Sequence, residues 1–240
     1  MNKLKLFGFP YAGGASLYYY WWKKHLGQHI ELVPVELAGR GIRHKEPFYP
    51  SFQDAIEDLF CRIVNQVDDN RSRFAFFGHS MGGLIAFELA LMLKERIQRE
   101  PVCLFLSGRW PPHIHRADYL DPEMSDKQIK AKLIELGGTP AQAFENKQFE
   151  EMFISTVRAD FQMLATYVYK SCEPLNADIH VMTGHADLEV NQRDIVEWKK
   201  YTQGDFSLHK FKGDHFYLSE NLHTVINHIN HTLFEVTQRT

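Results

Sequence analysis

Five residues in a row, Gly78-His79-Ser80-Met81-Gly82, carry the strongest chemical signal in the chain. A serine between glycines two positions away on either side is the spacing of a nucleophile elbow, provided a strand precedes it and a helix follows. Both are expected: FAFFG (Phe74–Gly78) reads as a buried strand, and MGGLIAFELALMLKERI after Ser80 as a helix apolar on nearly all sides. In such a turn the hydroxyl stands at the helix N-terminus, where the Met81 N–H and the positive end of the helix dipole face a developing oxyanion. A second donor is expected from the loop after the first strand, Phe9-Pro10-Tyr11-Ala12-Gly13-Gly14, with Ala12 as the candidate.

A serine needs a base, and the base needs an acid to orient it. The chain has 13 histidines, so position must choose among them. Only His215, in Gly213-Asp214-His215-Phe216, sits in a loop just after a late strand pattern. Asp187, in Gly184-His185-Ala186-Asp187, follows the strand pattern DIHVMTG (Asp178–Gly184) and is the candidate acid. The order Ser, Asp, His is that of α/β-hydrolases. The competing readings are an incidental Gly-rich turn at 78–82, a plain glycine turn at 9–14, a half-buried loop histidine and a helix-capping aspartate.

The elements that must hold these groups alternate in type. LKLFGF (Leu4–Phe9), ELVPVE (Glu31–Glu36), VCLFLS (Val102–Ser107) and FSLHKF (Phe206–Phe211) join the two strands above. Ser51 can cap a helix running to Val67, and Ser219 a final helix running to Val236. Strands alternating with helices imply an α/β fold, a mainly parallel central sheet flanked by helices. From 111 to 171 the pattern is helical without strands: Ser125 caps a segment that stops at Gly137-Gly138, and a long amphipathic segment follows. This divides the chain into a core of residues 1–110 and 172–240 and a helical lid subdomain of residues 111–171.

Composition excludes several function classes. The chain has 240 residues, 44% hydrophobic and 24% charged, with a formal net charge of -3. Nothing in that balance points to nucleic acid or to an anionic membrane. No signal peptide or span-length apolar run occurs, so a cytoplasmic protein is expected. Cys61, Cys103 and Cys172, odd in number and widely spaced, read as small buried hydrophobes. The sequons at Asn70-Arg71-Ser72 and Asn230-His231-Thr232 carry no weight without secretion. Tyr18, Tyr19, Tyr20, Trp21 and Trp22 are either packing residues or the wall of an acyl pocket. Arg109, His113, His115 and Arg116 form either a basic rim or a solvated surface. No P-loop, no GxGxxG after a strand and no HExxH is present, so no metal or nucleotide cofactor is expected.

Taken in order, FPYAGG (Phe9–Gly14), GRG (Gly39–Gly41), GHSMGG (Gly78–Gly83), SGRWPP (Ser107–Pro112), RADF (Arg158–Phe161), GHAD (Gly184–Asp187) and GDHF (Gly213–Phe216) resemble the type II thioesterases, stand-alone editing enzymes of non-ribosomal peptide and polyketide synthesis. PPHI (Pro111–Ile114) and LGGTP (Leu136–Pro140) are similar to the surfactin and gramicidin type of that family. The resemblance spans almost the whole chain; Ala38 departs from it, standing where the family often has proline. It implies an α/β-hydrolase fold and a substrate acyl group held as a thioester on the phosphopantetheine arm of an acyl or peptidyl carrier protein. The arm belongs to the substrate, so no cofactor of its own is implied. Ser80 would attack, His215 would move the proton, Asp187 would hold His215, and Met81 and Ala12 would bind the oxyanion. The chain starts at Met1 and is expected to be complete and to work as a monomer. A small-molecule esterase, an acyltransferase, a chain-releasing thioesterase domain and a non-catalytic binding protein on the same fold remain alternatives, since fold does not fix substrate.

Overall fold

The computed structural model describes residues 3–67, 73–114, 123–139 and 141–238. Asn70-Arg71-Ser72, His115, Arg116 and Pro140 lie outside the described residues. Six strands form one sheet: β1 (Leu4–Phe9), β2 (Ile30–Pro34), β3 (Phe74–His79), β4 (Cys103–Ser107), β5 (Asp178–Gly184) and β6 (Phe206–Phe211). Their spatial order is β2-β1-β3-β4-β5-β6, and every pairing is parallel. A parallel sheet must be covered on both faces, which is why β3 and β4 are apolar runs rather than alternating ones. Both are buried throughout, whereas β6, at the edge, is half-buried along most of its length.

The helices are α1 (Phe52–Val67), α2 (Met81–Ile97), α3 (Asp126–Glu135), α4 (Lys147–Ala165), α5 (Gln192–Ile195), α6 (Tyr217–Glu220) and α7 (Leu222–Gln238). On one side α1 and α2 pack with Phe7, Phe9, Phe76, Leu104 and Leu106 of the sheet. There the Phe76 ring meets Phe7 edge-on at 5.7 Å and Phe9 at 5.1 Å. Burying each such ring contributes roughly 1.5–3 kcal/mol before any aromatic bonus. On the other side α7 supplies Val225, Ile226, Ile229 and Leu233 against Leu4, Leu6, Phe77 and Phe105.

Between β4 and β5 the described chain carries α3 and α4 and adds no strand to the sheet. Ser125 caps α3 through a complete capping box with Gln128, and Asn146 caps α4 by accepting from the Phe149 N–H at 3.1 Å. Ile129, Leu133, Phe144, Ile154, Val157 and Phe161 form a small apolar cluster of their own. The far end of α4 behaves differently: Met163 and Leu164 belong to the main core.

Three expectations need correction. Ser219 does not cap the final helix: its hydroxyl donates to the Phe216 carbonyl, and α7 starts only after Asn221, whose side chain donates to the Lys212 and Tyr217 carbonyls. Of the cysteines, only Cys103 is fully buried; Cys61 is exposed and Cys172 half-buried. Arg109 is no rim residue: it is buried, with its guanidinium 4.2 Å from the centre of the Trp110 ring.

Candidate active site

Ser80 stands between β3 and α2 with φ 53° and ψ −115°. A β-carbon disfavours that region, and non-glycine residues hold it only where surrounding structure enforces it. The enforcement is visible. The Ser80 N–H donates to the Ser107 carbonyl at 2.7 Å, tying the turn to β4. Gly82, in the first turn of α2, runs so close to the first loop that a β-carbon there would lie 2.1 Å from the Phe9 carbonyl oxygen. Met81 opens α2, and its N–H is one of the four that a helix leaves unpaired.

The close approach at Gly82 lays the loop after β1 against the N-terminus of α2. That loop is a β-turn closed by Gly14 N–H donating to the Tyr11 carbonyl at 2.8 Å. Gly13, at φ 79°, takes the third position, where a type II turn needs a positive φ. Ala12 is the second residue of the turn and is half-buried.

Asp187 and His215, in the loops after β5 and β6, meet directly. His215 Nδ1 lies 3.0 Å from Asp187 Oδ2 and 3.1 Å from Oδ1, and both side chains are buried. Asp187 Oδ1 also accepts from the Glu189 N–H at 2.9 Å, which fixes the carboxylate. A carboxylate only accepts, so neutral His215 carries its proton on Nδ1 and its lone pair on Nε2, the tautomer a general base requires.

His79 links the two halves of the site. It directly precedes Ser80, and its ring centre lies 4.9 Å from that of His215. Its Nδ1 is 2.8 Å from Ser107 Oγ, which is 2.7 Å from the Tyr217 hydroxyl. Burial, with His215 alongside, holds the His79 pKa well below the ordinary histidine value. His79 therefore stays neutral beside a base that must become cationic.

Sequence reasoning missed one feature altogether. Arg40, of the GRG segment, and Asp160, of the RADF segment, form a buried two-pronged ion pair with contacts of 2.6 and 2.5 Å. The same carboxylate accepts from the Gly13 N–H at 2.7 Å, and Arg40 donates to the Gly14 carbonyl at 3.2 Å. The turn holding Ala12 is thus clamped to α4. The N–H of Gly13, one residue after Ala12, is thereby committed to Asp160.

Beyond this turn lies a cavity of about 740 Å³, bounded by Tyr11, Tyr18, Trp21, Arg40, Phe149 and Phe153. Within the aromatic run the roles divide: Tyr19 is a core residue, Trp22 is buried and also borders the cavity, and Tyr18 and Trp21 face it. A larger cleft of about 890 Å³ opens between α1, α2 and residues 166–173, and the lining of neither cavity includes Ser80, Asp187 or His215.

The sequence matches the model of the "Thioesterase domain" family over residues 4–233. The human medium-chain S-acyl fatty acid synthase thioesterase is 36% identical over 219 residues, covering 89% of this chain and 80% of that one. The crystal structure of ClbQ from the colibactin NRPS/PKS pathway superposes with a TM-score of 0.93 at 30% identity, covering both chains in full (100%). The type II thioesterase BorB from the borrelidin biosynthetic cluster gives 0.85 at 30% identity, covering 95% of this chain and 91% of that one. With an α/β-hydrolase sheet, a strained serine at a helix N-terminus and a family match across nearly its whole length, the chain belongs to the thioesterase family.

Proposed function

We propose that the chain hydrolyses aberrant or stalled acyl groups held as thioesters on the phosphopantetheine arm of carrier proteins, serving non-ribosomal peptide or polyketide synthesis as a type II thioesterase. The observations that carry the chemistry are the strained Ser80 at the N-terminus of α2 and the buried Asp187–His215 pair, whose His215 ring lies 4.9 Å from that of His79, the residue before Ser80. The likeness to ClbQ and BorB supports the choice of substrate.

In this reading Ser80 Oγ attacks the thioester carbonyl carbon while its proton passes to His215 Nε2. The Met81 and Ala12 N–H groups bind the oxyanion. Collapse breaks the C–S bond and releases the arm, which takes the His215 proton and leaves as a thiol, so that His215 is neutral again. A thiol of ordinary pKa near 8.5 is a good leaving group, so modest catalysis suffices. Water, deprotonated by His215, then attacks the acyl-serine, and the acid departs as Ser80 regains its proton. Asp187 holds the imidazole throughout. The acyl chain lies in the cavity beside Tyr18 and Trp21, and the helical insertion of residues 111–171 acts as a lid that admits the arm and excludes water. The enzyme works as a cytoplasmic monomer, and its partner is the acyl or peptidyl carrier domain. No helix among the described residues is long and apolar enough to cross a membrane.

The test compares acetyl release from an acetyl-phosphopantetheinyl carrier protein with hydrolysis of a small acetyl oxygen ester, for the wild type and Ser80→Ala. Preference for the carrier substrate, abolished in Ser80→Ala, is expected. Preference for the small ester makes the chain a general esterase. Carrier hydrolysis surviving in Ser80→Ala removes Ser80 from the mechanism.

A further inference from the structure

The triad groups lie in loops beyond the strand ends. Within the strands, on the face that α7 covers, three more imidazoles come together: His180 of β5, His209 of β6 and His228 of α7. One ring nitrogen from each lies within 4.8 Å of the others. The register explains the grouping. His180 pairs with Ser207 and Met182 with His209, so His180 and His209 are diagonal neighbours on one face. α7 crosses that face and sets the His228 ring centre 3.8 Å from that of His209 and 6.0 Å from that of His180.

The surroundings hold the rings in place. Ser207 Oγ lies 2.7 Å from His180 Nδ1 and 2.8 Å from His209 Nε2. A hydroxyl oxygen has two lone pairs and a proton, so Ser207 can hold both rings in place through these contacts. This is how ligating histidines are usually oriented, by a polar partner on the other ring nitrogen. His228 Nε2 is buried and has no hydrogen-bond partner among the described residues.

We propose that His180, His209 and His228 form a site for one divalent transition ion of the zinc class, with water completing a tetrahedral shell. Imidazole-only donors suit zinc, copper or nickel and not the oxygen-seeking calcium or magnesium. Zn–N distances near 2.0–2.1 Å put tetrahedral nitrogens about 3.4 Å apart, so the rings must close by roughly 1.4 Å, a movement within reach of imidazole rotations. The ion would join β5, β6 and α7. Because Asp187 follows β5 and His215 follows β6, it would hold together the strands that carry the acid and the base.

The experiment uses tag-free, chelator-treated protein and does not rely on activity. Cobalt(II) is titrated and the visible d–d absorption of a tetrahedral complex recorded; zinc is then added to displace it. One ion per chain is expected, together with a melting temperature raised by roughly 5 °C at zinc 100-fold above its Kd. His209→Gln and His228→Gln should each abolish the tetrahedral spectrum, and Ser207→Ala should weaken binding at least about tenfold. His185→Gln, a histidine outside the cluster, should bind as wild type. No tetrahedral spectrum in the wild type, or an unchanged spectrum in the His209 and His228 variants, would overturn the site. If the variants fold poorly, the wild-type spectrum and stoichiometry decide alone.

Discussion

Replacing Asp160 by alanine separates what the Arg40–Asp160 pair does for the fold from what it does for the site. Both side chains are nearly inaccessible, at 5% and 2% exposure, so the substitution leaves a guanidinium buried without its counter-charge. Removing one partner of a buried ion pair costs about 3–5 kcal/mol, whereas replacing both by apolar groups of similar volume is often neutral. Arg40→Met/Asp160→Leu should therefore recover most of the stability lost in Asp160→Ala, as measured by urea unfolding. Activity should not follow. The double variant still lacks the acceptor for the Gly13 N–H and the donor to the Gly14 carbonyl, so the turn that presents Ala12 is loose. Losing one oxyanion donor costs on the order of 10²–10³ in kcat, or about 2.7–4 kcal/mol of barrier; a loosened donor should cost roughly 10- to 100-fold. The assay is kcat and KM for acyl-carrier hydrolysis, at a temperature where unfolding curves show both variants folded. A double variant that regains stability and kcat together refutes the positioning role. A loss below about 1 kcal/mol in Asp160→Ala refutes the buried ion pair itself.

Other consequences can be checked directly. Asp187→Asn keeps the shape of the acid but lets the other His215 tautomer form, so kcat should fall by about 10⁴, with far-ultraviolet circular dichroism unchanged. Gly82→Ala puts a β-carbon 2.1 Å from the Phe9 carbonyl oxygen; reduced expression, or folded protein with kcat down at least about 100-fold, is expected, and full activity would show that the first loop does not press on the elbow. For His79 the folded pKa lies below the unfolded value near 6.5, so the unfolded chain takes up the proton first and stability is lost as pH falls below about 6.5. The slope of unfolding free energy against pH there should flatten in His79→Gln by up to about 1.4 kcal/mol per pH unit; an identical slope would mean that His79 titrates normally.

Much of this fold is legible in the sequence because its signals are local. The central strands β3 and β4 are short apolar runs that the parallel sheet buries on both faces, and the elbow is a five-residue pattern with a strand before it and a helix after it. Asp187 and His215, which meet in the structure, could be singled out because both follow strand ends, where few aspartates and histidines fall. The clamp is different in kind. Arg40 and Asp160 are 120 residues apart, and no periodicity couples them. One local signal was present: along α4, Asp160 lies in line with the buried Val157, Phe161 and Leu164, and a carboxylate on an apolar stripe needs a partner. Helix boundaries fared worst where the chain bends without proline or glycine, as at Asn221, because a side-chain cap to a distant carbonyl leaves no pattern of its own.

The clamp also constrains how the helical insertion can move. α4 is fixed by the Arg40 ion pair, by Met163 and Leu164 in the main core, and by the Phe52 N–H donating to Thr166 Oγ1 at 2.8 Å. Swinging the whole insertion outward would strip a buried ion pair and core side chains together, at a cost of several kcal/mol. α3 has lighter attachments. Its buried Ile129 and Leu133 pack within the small cluster that includes α4, and Lys132 reaches Glu189 at 3.3 Å. The Gly137-Gly138 stop then rests against Asp214 and Phe216, the two neighbours of His215. Opening should therefore begin at α3 with α4 in place, uncovering the base side of the site first. Native-state hydrogen exchange tests this: amides of α3 should exchange at least about tenfold faster than those of Asp160–Leu164, and a bound acyl-phosphonate on Ser80 should slow α3 selectively. Equal protection across both helices, rising and falling together, would mean that the insertion moves as one body and that the clamp does not anchor it.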